Sequence, residues 1–337
     1  MGVPDGRWKF GVLEHGAGNL ITDVPGVRVG HVTIAEEGHQ TGVTAVLPHG
    51  ENLFRSKVPA AVHVINGFGK SAGLMQIREM GTIETPIILT NTFAVGTCVN
   101  AVVTHMLEQN PEIGDTTGTV NPLVMECNDG VVNAIRDRAV TEAHVHQAIA
   151  DAGQAFAEGA VGGGRGMCCY DLKGGIGSAS RIIRIGEETF TVGALLMTNF
   201  GTAADLTICG DPIGKRIAAQ PEKEQGSVII ILATDLPMSC RQMGRAARRA
   251  QNGLARTGTF TACGSGEVVV MFSTANQIRH WPQEKIASYR CVSDDELDQV
   301  FRAVTECVEE SVISSIYHAE SMTSRKGKPV HSLKEYL

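Results

Sequence analysis

The sequence predicts an α/β protein built in layers, and three observations support that prediction. Short apolar runs recur at strand length, and segments with helical periodicity lie between them. Several of these runs are too apolar to leave one face in water, so helices or a second sheet must cover both faces. No long polar linker separates two cores, so residues 1–337 are expected to form a single domain.

The strand prediction depends on six runs that are apolar and rich in β-branched residues. Each has the length of a strand. The runs are residues 43–47, 61–65, 87–89, 189–197, 227–233 and 267–272.

Helical patterns occupy the stretches between these runs. Ser239 can cap one helix with an apolar face and an arginine-rich face. Ser293 and Glu296 have the spacing of a capping box ahead of a second apolar stripe. The polar tail from Ser324 is expected at the surface or loosely held. Weaker helical patterns cover residues 71–79, 94–107 and 142–156.

Charge and composition exclude several classes of function. A net charge of −7 leaves no basic surplus for a phosphate backbone, so no nucleic-acid partner is expected. No apolar run approaches the roughly 20 residues that a membrane span requires. The N-terminal stretch MGVPDGRWKF contains no apolar signal core. We therefore expect a cytoplasmic protein that has no membrane partner.

The cysteines and histidines form no metal-binding pattern. The 9 cysteines are scattered without a C-x-x-C pair, and the 11 histidines never form an H-x-x-x-H set. The glycine-rich segments lack the spacing of a phosphate-binding loop. We therefore expect no metal and no cofactor, and we expect the cysteines to be reduced.

The segment Gly264-Ser265-Gly266 directly precedes an expected strand. Flanking glycines let the backbone enter regions closed to other residues, so the Ser265 hydroxyl could approach the carbonyl group of Gly264. Attack there would form an ester, and hydrolysis of the ester would free a new α-amino group. Such a group has a pKa of ~7.7–8.0, so it could serve Ser265 as a general base. The tripeptide alone, however, is more typical of a simple turn.

Six sequence blocks, spread in a fixed order over nearly the whole chain, resemble the DmpA/BapA family. That family contains L-aminopeptidase D-Ala-esterase/amidases and β-peptidyl aminopeptidases. Each block is weak by itself, but the ordered set is specific. The blocks are NLITDVPGVRVGH (19–31), NGFGK (66–70), ECNDG (126–130), KGGIG (173–177), TNFG (198–201) and GLARTG (253–258).

The resemblance implies a four-layer αββα sandwich, similar to that of N-terminal-nucleophile hydrolases but with distinct connectivity. It also implies self-cleavage between Gly264 and Ser265, with Ser265 as the nucleophile. The two fragments, residues 1–264 (α subunit) and 265–337 (β subunit), are expected to stay associated. The family further implies a tetramer of such heterodimers.

Three other positions match functional residues of the family, and a fourth departs from it. Asn199 matches an asparagine that stabilises the oxyanion, although it could merely end a strand. Glu126 matches an acid that holds the substrate ammonium, although it could form a structural salt bridge. Asn128 replaces an active-site tyrosine found in some members. Glu310 matches an acid near the nucleophile, but Val308 replaces the expected hydroxyl residue, and the apolar stripe does not point Glu310 into the core.

The resemblance therefore implies a self-cleaving aminopeptidase or amidase that needs no metal. It would release N-terminal residues from short peptides, amino-acid amides or β-peptides through an acyl-enzyme on Ser265. Its partner would be a small peptide or amide substrate. Two alternatives stay open: an amidase of the same fold that acts on pantetheine-like amides, and a scaffold or binding protein that does not process itself.

Overall fold

Two β-sheets stacked face to face form the centre of the protein. The computed structural model describes residue 3 and residues 8–218 and 226–337. The strands are β1 (Arg28–Glu36), β2 (His39–Leu47), β3 (Ser56–Gly67), β4 (Thr82–Ile83), β5 (Ile87–Asn91), β6 (Leu123–Cys127), β7 (Cys168–Cys169), β8 (Leu172–Lys173), β9 (Ile176–Ile185), β10 (Glu188–Asn199), β11 (Gly226–Thr234), β12 (Ser265–Ser273), β13 (Ile278–Arg279), β14 (Met322–Thr323) and β15 (Pro329–Val330). The helices are α1 (Leu74–Met80), α2 (Val95–Gln109), α3 (Glu142–Ala150), α4 (Gly214–Ile217), α5 (Cys240–Ala247), α6 (Ala250–Arg256) and α7 (Leu297–Tyr317).

The two main sheets contain four and seven strands. The four-stranded sheet has the order β1-β2-β5-β6, and the main path of the seven-stranded sheet is β13-β3-β12-β11-β10-β9, with β4 paired to β3. Neighbouring strands in both sheets are antiparallel, except that β5 is parallel to β6 and β11 is parallel to β12. Strand β12 therefore lies inside its sheet, with β11 on one side and β3 on the other.

Helices cover the outer face of each sheet. The core between the sheets joins residues such as Leu89 and Met125 to Ile229 and Val270. Helices α5, α6 and α7 pack over the other face of the seven-stranded sheet. Helices α2 and α3 pack over the other face of the four-stranded sheet. The layers follow the order helix, sheet, sheet, helix, which confirms the expected αββα sandwich.

The strands formed where the apolar runs predicted them. All six runs lie within β2, β3, β5, β10, β11 or β12. In β2, β5, β10, β11 and β12 the runs are apolar because both faces of most of the strand are buried, whereas residues 62–65 of β3 are only partly buried or exposed.

Two predicted helices have different boundaries in the structure. The helix capped by Ser239 is interrupted at Arg248 and Arg249, where Arg249 donates a hydrogen bond of 3.1 Å to the carbonyl oxygen of Arg245. The segment 142–156 is helical only as far as Ala150, because Gly153 pairs instead with the backbone of β1. Within the described ranges, no helix is long and apolar enough to cross a membrane.

The C-terminal tail is attached more firmly than its polar sequence predicted. Strands β14 and β15 pair, and the side chains of Val330 and Leu333 are buried. The backbone N–H of Lys173 also donates to the carbonyl oxygen of His331. Of the two expected states, the tail therefore takes the first: it lies at the surface and is anchored there by a few apolar residues.

Helix α7 is buried on nearly every side, and this overturns the expected exposure of Glu310. The side chain of Glu310 is 2% exposed. An apolar stripe predicts one buried face, and that face of α7 lies on β9 and β10. The helix also contacts the N-terminal segment, where the backbone N–H groups of Val12 and Leu13 donate to Glu306. Arg181 pairs with both glutamates and compensates their buried charge.

Gly177 of β9 allows α7 to pack closely on the seven-stranded sheet. A Cβ atom at this position would lie 1.9 Å from the carbonyl oxygen of Ser311. Gly177→Ala is therefore expected to displace α7 and to lower the free energy of unfolding by about 1–3 kcal/mol, as overpacking does. Thermal unfolding should be compared with that of Gly96→Ala, where a Cβ meets no atom within 4 Å. An unchanged melting temperature for Gly177→Ala would contradict this prediction.

Candidate active site

A cleft of about 1700 Å³ opens where four strands of the two sheets end or begin. In the strand register Asn199 faces Ser227 across β10 and β11, and Gly226 faces Ser265 across β11 and β12. The C-terminal end of β6 lies beside them. The cleft lining therefore gathers residues that are distant in sequence, among them Glu126, Asn128, Asn199 and Gly264.

The Gly264–Ser265 junction forms a tight turn at the wall of this cleft. The N–H of Ser265 donates to the carbonyl oxygen of Ala262 at 2.9 Å. The Asn66 side-chain amide donates to the carbonyl oxygen of Cys263 at 3.0 Å and also contacts that of Ser265. Ser265 itself is fully buried. The segment before Ser265 thus covers the serine, while Gly264 faces the cleft.

Gly264 and Gly266, which flank Ser265, do not adopt the unusual backbone conformation that the sequence predicted for them. Neither Gly264 nor Gly266 has a positive φ angle, whereas Thr261 has φ 61°. Gly266 is needed for a close approach, because a Cβ there would lie 2.6 Å from the carbonyl oxygen of Phe68. The unusual backbone conformation therefore falls on a β-branched residue, for which it is strained.

Asn199 ends β10 and has a fixed amide orientation. Its Oδ1 atom accepts a hydrogen bond of 2.9 Å from the backbone N–H of Cys168. Its Nδ2 atom donates to the backbone carbonyl oxygen of Asn128 at 3.1 Å. An amide nitrogen carries two hydrogens, so one of them stays available for another acceptor.

A buried lysine supports the turn that orients Asn199. Lys173 is fully buried, and its ammonium donates to the carbonyl oxygens of Met167 at 2.5 Å and Gly174 at 2.7 Å. Burial lowers the pKa of Lys173 to about 8. Met167 and Gly174 flank the hairpin of β7 and β8, which we call the Cys168 turn, so the lysine anchors both ends of this turn. The sequence did not reveal this role.

Glu126 lies near the end of β6 and Asn128 lies directly after the strand, but their side chains have different surroundings. Glu126 is buried, and its carboxylate accepts hydrogen bonds from the backbone N–H of Lys70, at 2.8 Å, and from the Thr92 hydroxyl. Neither donor is a charged group, so these two contacts are not the structural salt bridge that the sequence left open. Asn128 is exposed in the cleft, and its side-chain oxygen accepts from the N–H of Gly130.

The structure does not bring Glu310 to the hydroxyl of Ser265. The Glu310 carboxylate accepts hydrogen bonds from the Asn19 amide at 2.6 Å and from Arg181 at 2.7 Å. The carboxylate that contacts Ser265 belongs to Glu267, whose Oε1 atom accepts from the serine hydroxyl at 2.9 Å. Alternation along a strand could have identified Glu267, because residues two apart on a strand share a face.

The described part of the chain contains no group of three or more His, Cys, Asp or Glu side chains arranged to hold a metal ion. The polar groups gathered around the junction are instead hydroxyls, amides and carboxylates. Together they can orient a peptide carbonyl, hold a cation and transfer a proton.

Known proteins match both the sequence and the fold over nearly the whole chain. A model of peptidase family S58 matches residues 19–330. The β-peptidyl aminopeptidase BapA of Sphingosinicella microcystinivorans is 35% identical over 345 residues, which cover 94% of this chain and 86% of the relative. The crystal structure of the PH0078 protein from Pyrococcus horikoshii OT3 superposes with a TM-score of 0.95 at 46% identity, covering 99% of this chain and 96% of that one.

A further solved structure connects the fold to a chemical class. The L-aminopeptidase D-Ala-esterase/amidase of Ochrobactrum anthropi is described as a prototype of the serine aminopeptidases and as a variant of the Ntn hydrolase fold. It superposes with a TM-score of 0.89 at 36% identity, covering 96% of this chain and 93% of that one. The αββα layers found here are therefore those of an Ntn-type hydrolase.

Proposed function

This chain belongs to peptidase family S58 and is a peptide-bond hydrolase with aminopeptidase function, and from that premise we propose that it cleaves itself before Ser265 and then uses Ser265 as its nucleophile. One observation carries this proposal. Ser265 begins a buried central strand directly after Gly264, which lines the same cleft as Glu126 and Asn199. Glu126 and Asn199 thus line the same cavity as Gly264, and Ser265 lies buried directly behind that glycine.

Self-cleavage would open the site as well as create its base. Ser265 is fully buried in the uncut chain, and residues 262–264 form part of the cleft wall. A cut before Ser265 would free one end of that segment. It would also create an α-amino group with a pKa of ~7.7–8.0, which can accept the serine proton near neutral pH.

The fragments 1–264 and 265–337 would stay associated for a physical reason. Strand β12 belongs to the second fragment but is hydrogen bonded to β11 and β3 of the first. Helix α7 also belongs to the second fragment and covers β9 and β10. Separation would expose two apolar cores. We extend the proposal to a tetramer of such heterodimers, as the family resemblance implies.

We propose the following roles in substrate hydrolysis. The Ser265 hydroxyl attacks the carbonyl carbon of the substrate, and its own α-amine passes the proton to the leaving amine. The free amide hydrogen of Asn199 donates to the oxyanion from an orientation that is already fixed. The Glu126 carboxylate binds the substrate ammonium, with Asn128 beside it. Water then hydrolyses the ester.

The charge in the cleft supports a peptide substrate over a pantetheine-like amide. A substrate without an ammonium would leave the buried Glu126 carboxylate without a counter-charge. The leaving side of a peptide can carry a carboxylate, which fits the excess of positive charge along the lining. The charged lining residues are Lys70, Arg136, Arg138 and Arg325, against Glu126 and Asp171. We therefore propose short peptides with both termini free as the preferred substrates.

Intact mass and N-terminal sequencing test self-cleavage directly. The purified wild-type chain is expected to yield two fragments, of which the smaller begins Ser-Gly-Glu-Val, while Ser265→Ala stays whole at 35.8 kDa. A folded wild-type chain that stays whole would reject the proposed nucleophile. The alternative of a scaffold or binding protein would then be favoured.

Glu126→Gln tests the recognition of the ammonium. The variant loses a charge-assisted contact, so kcat/KM for an amino-acid p-nitroanilide is expected to fall about 10- to 100-fold. The N-acetylated form of the same substrate should be affected much less, because it carries no ammonium. Glu37→Gln, on the exposed turn between β1 and β2, is the matched control. An equal loss for both substrates would contradict the assigned role.

The double variant Arg138→Gln/Arg325→Gln tests the preference for a free carboxylate. Both arginines are exposed, so the gain from each pair is modest. The ratio of kcat/KM for a dipeptide to that for its C-terminal amide is expected to fall about two- to fivefold. Arg184→Gln, which pairs with Glu14 away from the cleft lining, should leave the ratio unchanged. A constant ratio in the double variant would reject carboxylate recognition by these two residues.

A further inference from the structure

We propose that Lys173 is a positioning residue for substrate hydrolysis, whose buried charge strengthens the Asn199 side chain as a hydrogen-bond donor to the oxyanion. The inference rests on the role proposed above for Asn199. One peptide group, which joins Met167 to Cys168, links the two side chains. Its carbonyl oxygen accepts a hydrogen bond of 2.5 Å from the Lys173 ammonium. Its N–H donates to the Oδ1 atom of Asn199 at 2.9 Å. We call this arrangement the Lys173 relay.

The hydrogen bonds of the Lys173 relay all run in one direction. The ammonium donates to the peptide carbonyl, and the N–H of the same peptide donates to the amide oxygen of Asn199. The amide nitrogen of Asn199 carries the hydrogen that stays available for the oxyanion. A positive charge at the start of such a series polarises each group in turn and makes each N–H a stronger donor. Lys173 can therefore stabilise the oxyanion without touching the substrate.

Lys173 keeps its ammonium in a fully buried position. The acceptors of this ammonium are the backbone carbonyl oxygens of Gly164, Met167 and Gly174. Removing a charge from water is costly, and an apolar side chain would fill the same space without that cost. In surroundings with little water, however, a charge acts over a longer distance than it does in solvent. Such a buried charge suits a role in which it acts on the cleft from behind the wall.

The group that can switch the relay near neutral pH is Lys173 itself. Burial lowers its pKa to about 8, whereas burial raises the pKa of Asp129 to about 6 and that of Cys169 to about 12. His331 pairs with the backbone of Lys173 but turns its ring toward Glu335. The titratable side chains that face the Lys173 ammonium are Asp129, Arg165, Cys168 and Cys169.

A pH titration removes the charge of Lys173 and nothing else. The neutral amine keeps its size and still has hydrogens for the carbonyl oxygens. The relay is polarised only while the amine is protonated, so kcat of the self-cleaved wild-type enzyme for an amino-acid p-nitroanilide is expected to fall as the pH rises through about 8. The Ser265 α-amine has the opposite effect, because it must lose its proton to act as a base. A kcat that is level or still rising up to about pH 10 would overturn the proposal.

Lys173→Met removes the charge at nearly the same side-chain size. Per self-cleaved chain, its kcat near pH 7 is expected to fall about tenfold, while KM changes less than about twofold, because the oxyanion forms only after the substrate has bound. The variant should also lose the fall in kcat at alkaline pH. Lys57→Met, at a mostly buried lysine away from the cleft lining, is the matched control and should keep both properties. A wild-type kcat in Lys173→Met, or a retained alkaline fall, would overturn the proposal.

Asn199→Ala tests whether the effect of Lys173 passes through the amide. In the Asn199→Ala enzyme, adding Lys173→Met should lower kcat by less than about a further twofold. A full tenfold loss in both backgrounds would overturn the proposal. The function proposed above fails separately, if the wild-type chain stays whole or if Asn199→Ala alone keeps the wild-type kcat.

The pH profiles decide the question if Lys173→Met fails to fold or to cleave itself. Asn199→Ala interrupts the relay, so its kcat should not fall at alkaline pH as that of the wild type does. An alkaline fall that Asn199→Ala retains would overturn the proposal. Circular dichroism, gel filtration and intact mass establish that each enzyme compared is folded and self-cleaved.

Discussion

The hydrogen bonding of β12 between β11 and β3 is the constraint on which the site depends. Ser265 is the first residue of this strand, so the parallel pairing with β11 and the antiparallel pairing with β3 fix its position. Both faces of the strand are buried, which leaves little freedom to shift the register. Ser265, the proposed nucleophile, is thereby held rigidly at the start of the strand, while the segment before it faces an open cleft.

The groups around the junction are oriented mainly by backbone contacts. The Asn199 amide is fixed by a backbone N–H on one side and a backbone carbonyl on the other. Glu126 is held in part by the backbone N–H of Lys70. Such contacts exist before any substrate binds, so little reorganisation is needed when charge develops. The buried Lys173 strengthens this arrangement by tying the Cys168 turn to two carbonyl oxygens.

Two kinds of buried carboxylate serve different purposes in this fold. Glu306 and Glu310 pair with the buried Arg181 and link α7 to β9. Glu267 instead contacts two hydroxyl groups on either side of the junction. The glutamate on β12, rather than that on α7, therefore lies within hydrogen-bond reach of the Ser265 hydroxyl.

The sequence by itself determined the strands and the order of the family blocks, and four of the residues that it singled out, Glu126, Asn128, Asn199 and Gly264, line the cleft. Its apolar runs located the strands because burial on both faces leaves a continuous apolar signal. The tertiary structure alone decided which carboxylate meets Ser265, since Glu310 required the packing of α7 and Arg181 to be known. It also decided that Thr261, rather than either flanking glycine, takes the strained conformation. Local patterns report whether a residue is buried, but contacts between distant segments depend on how the layers pack.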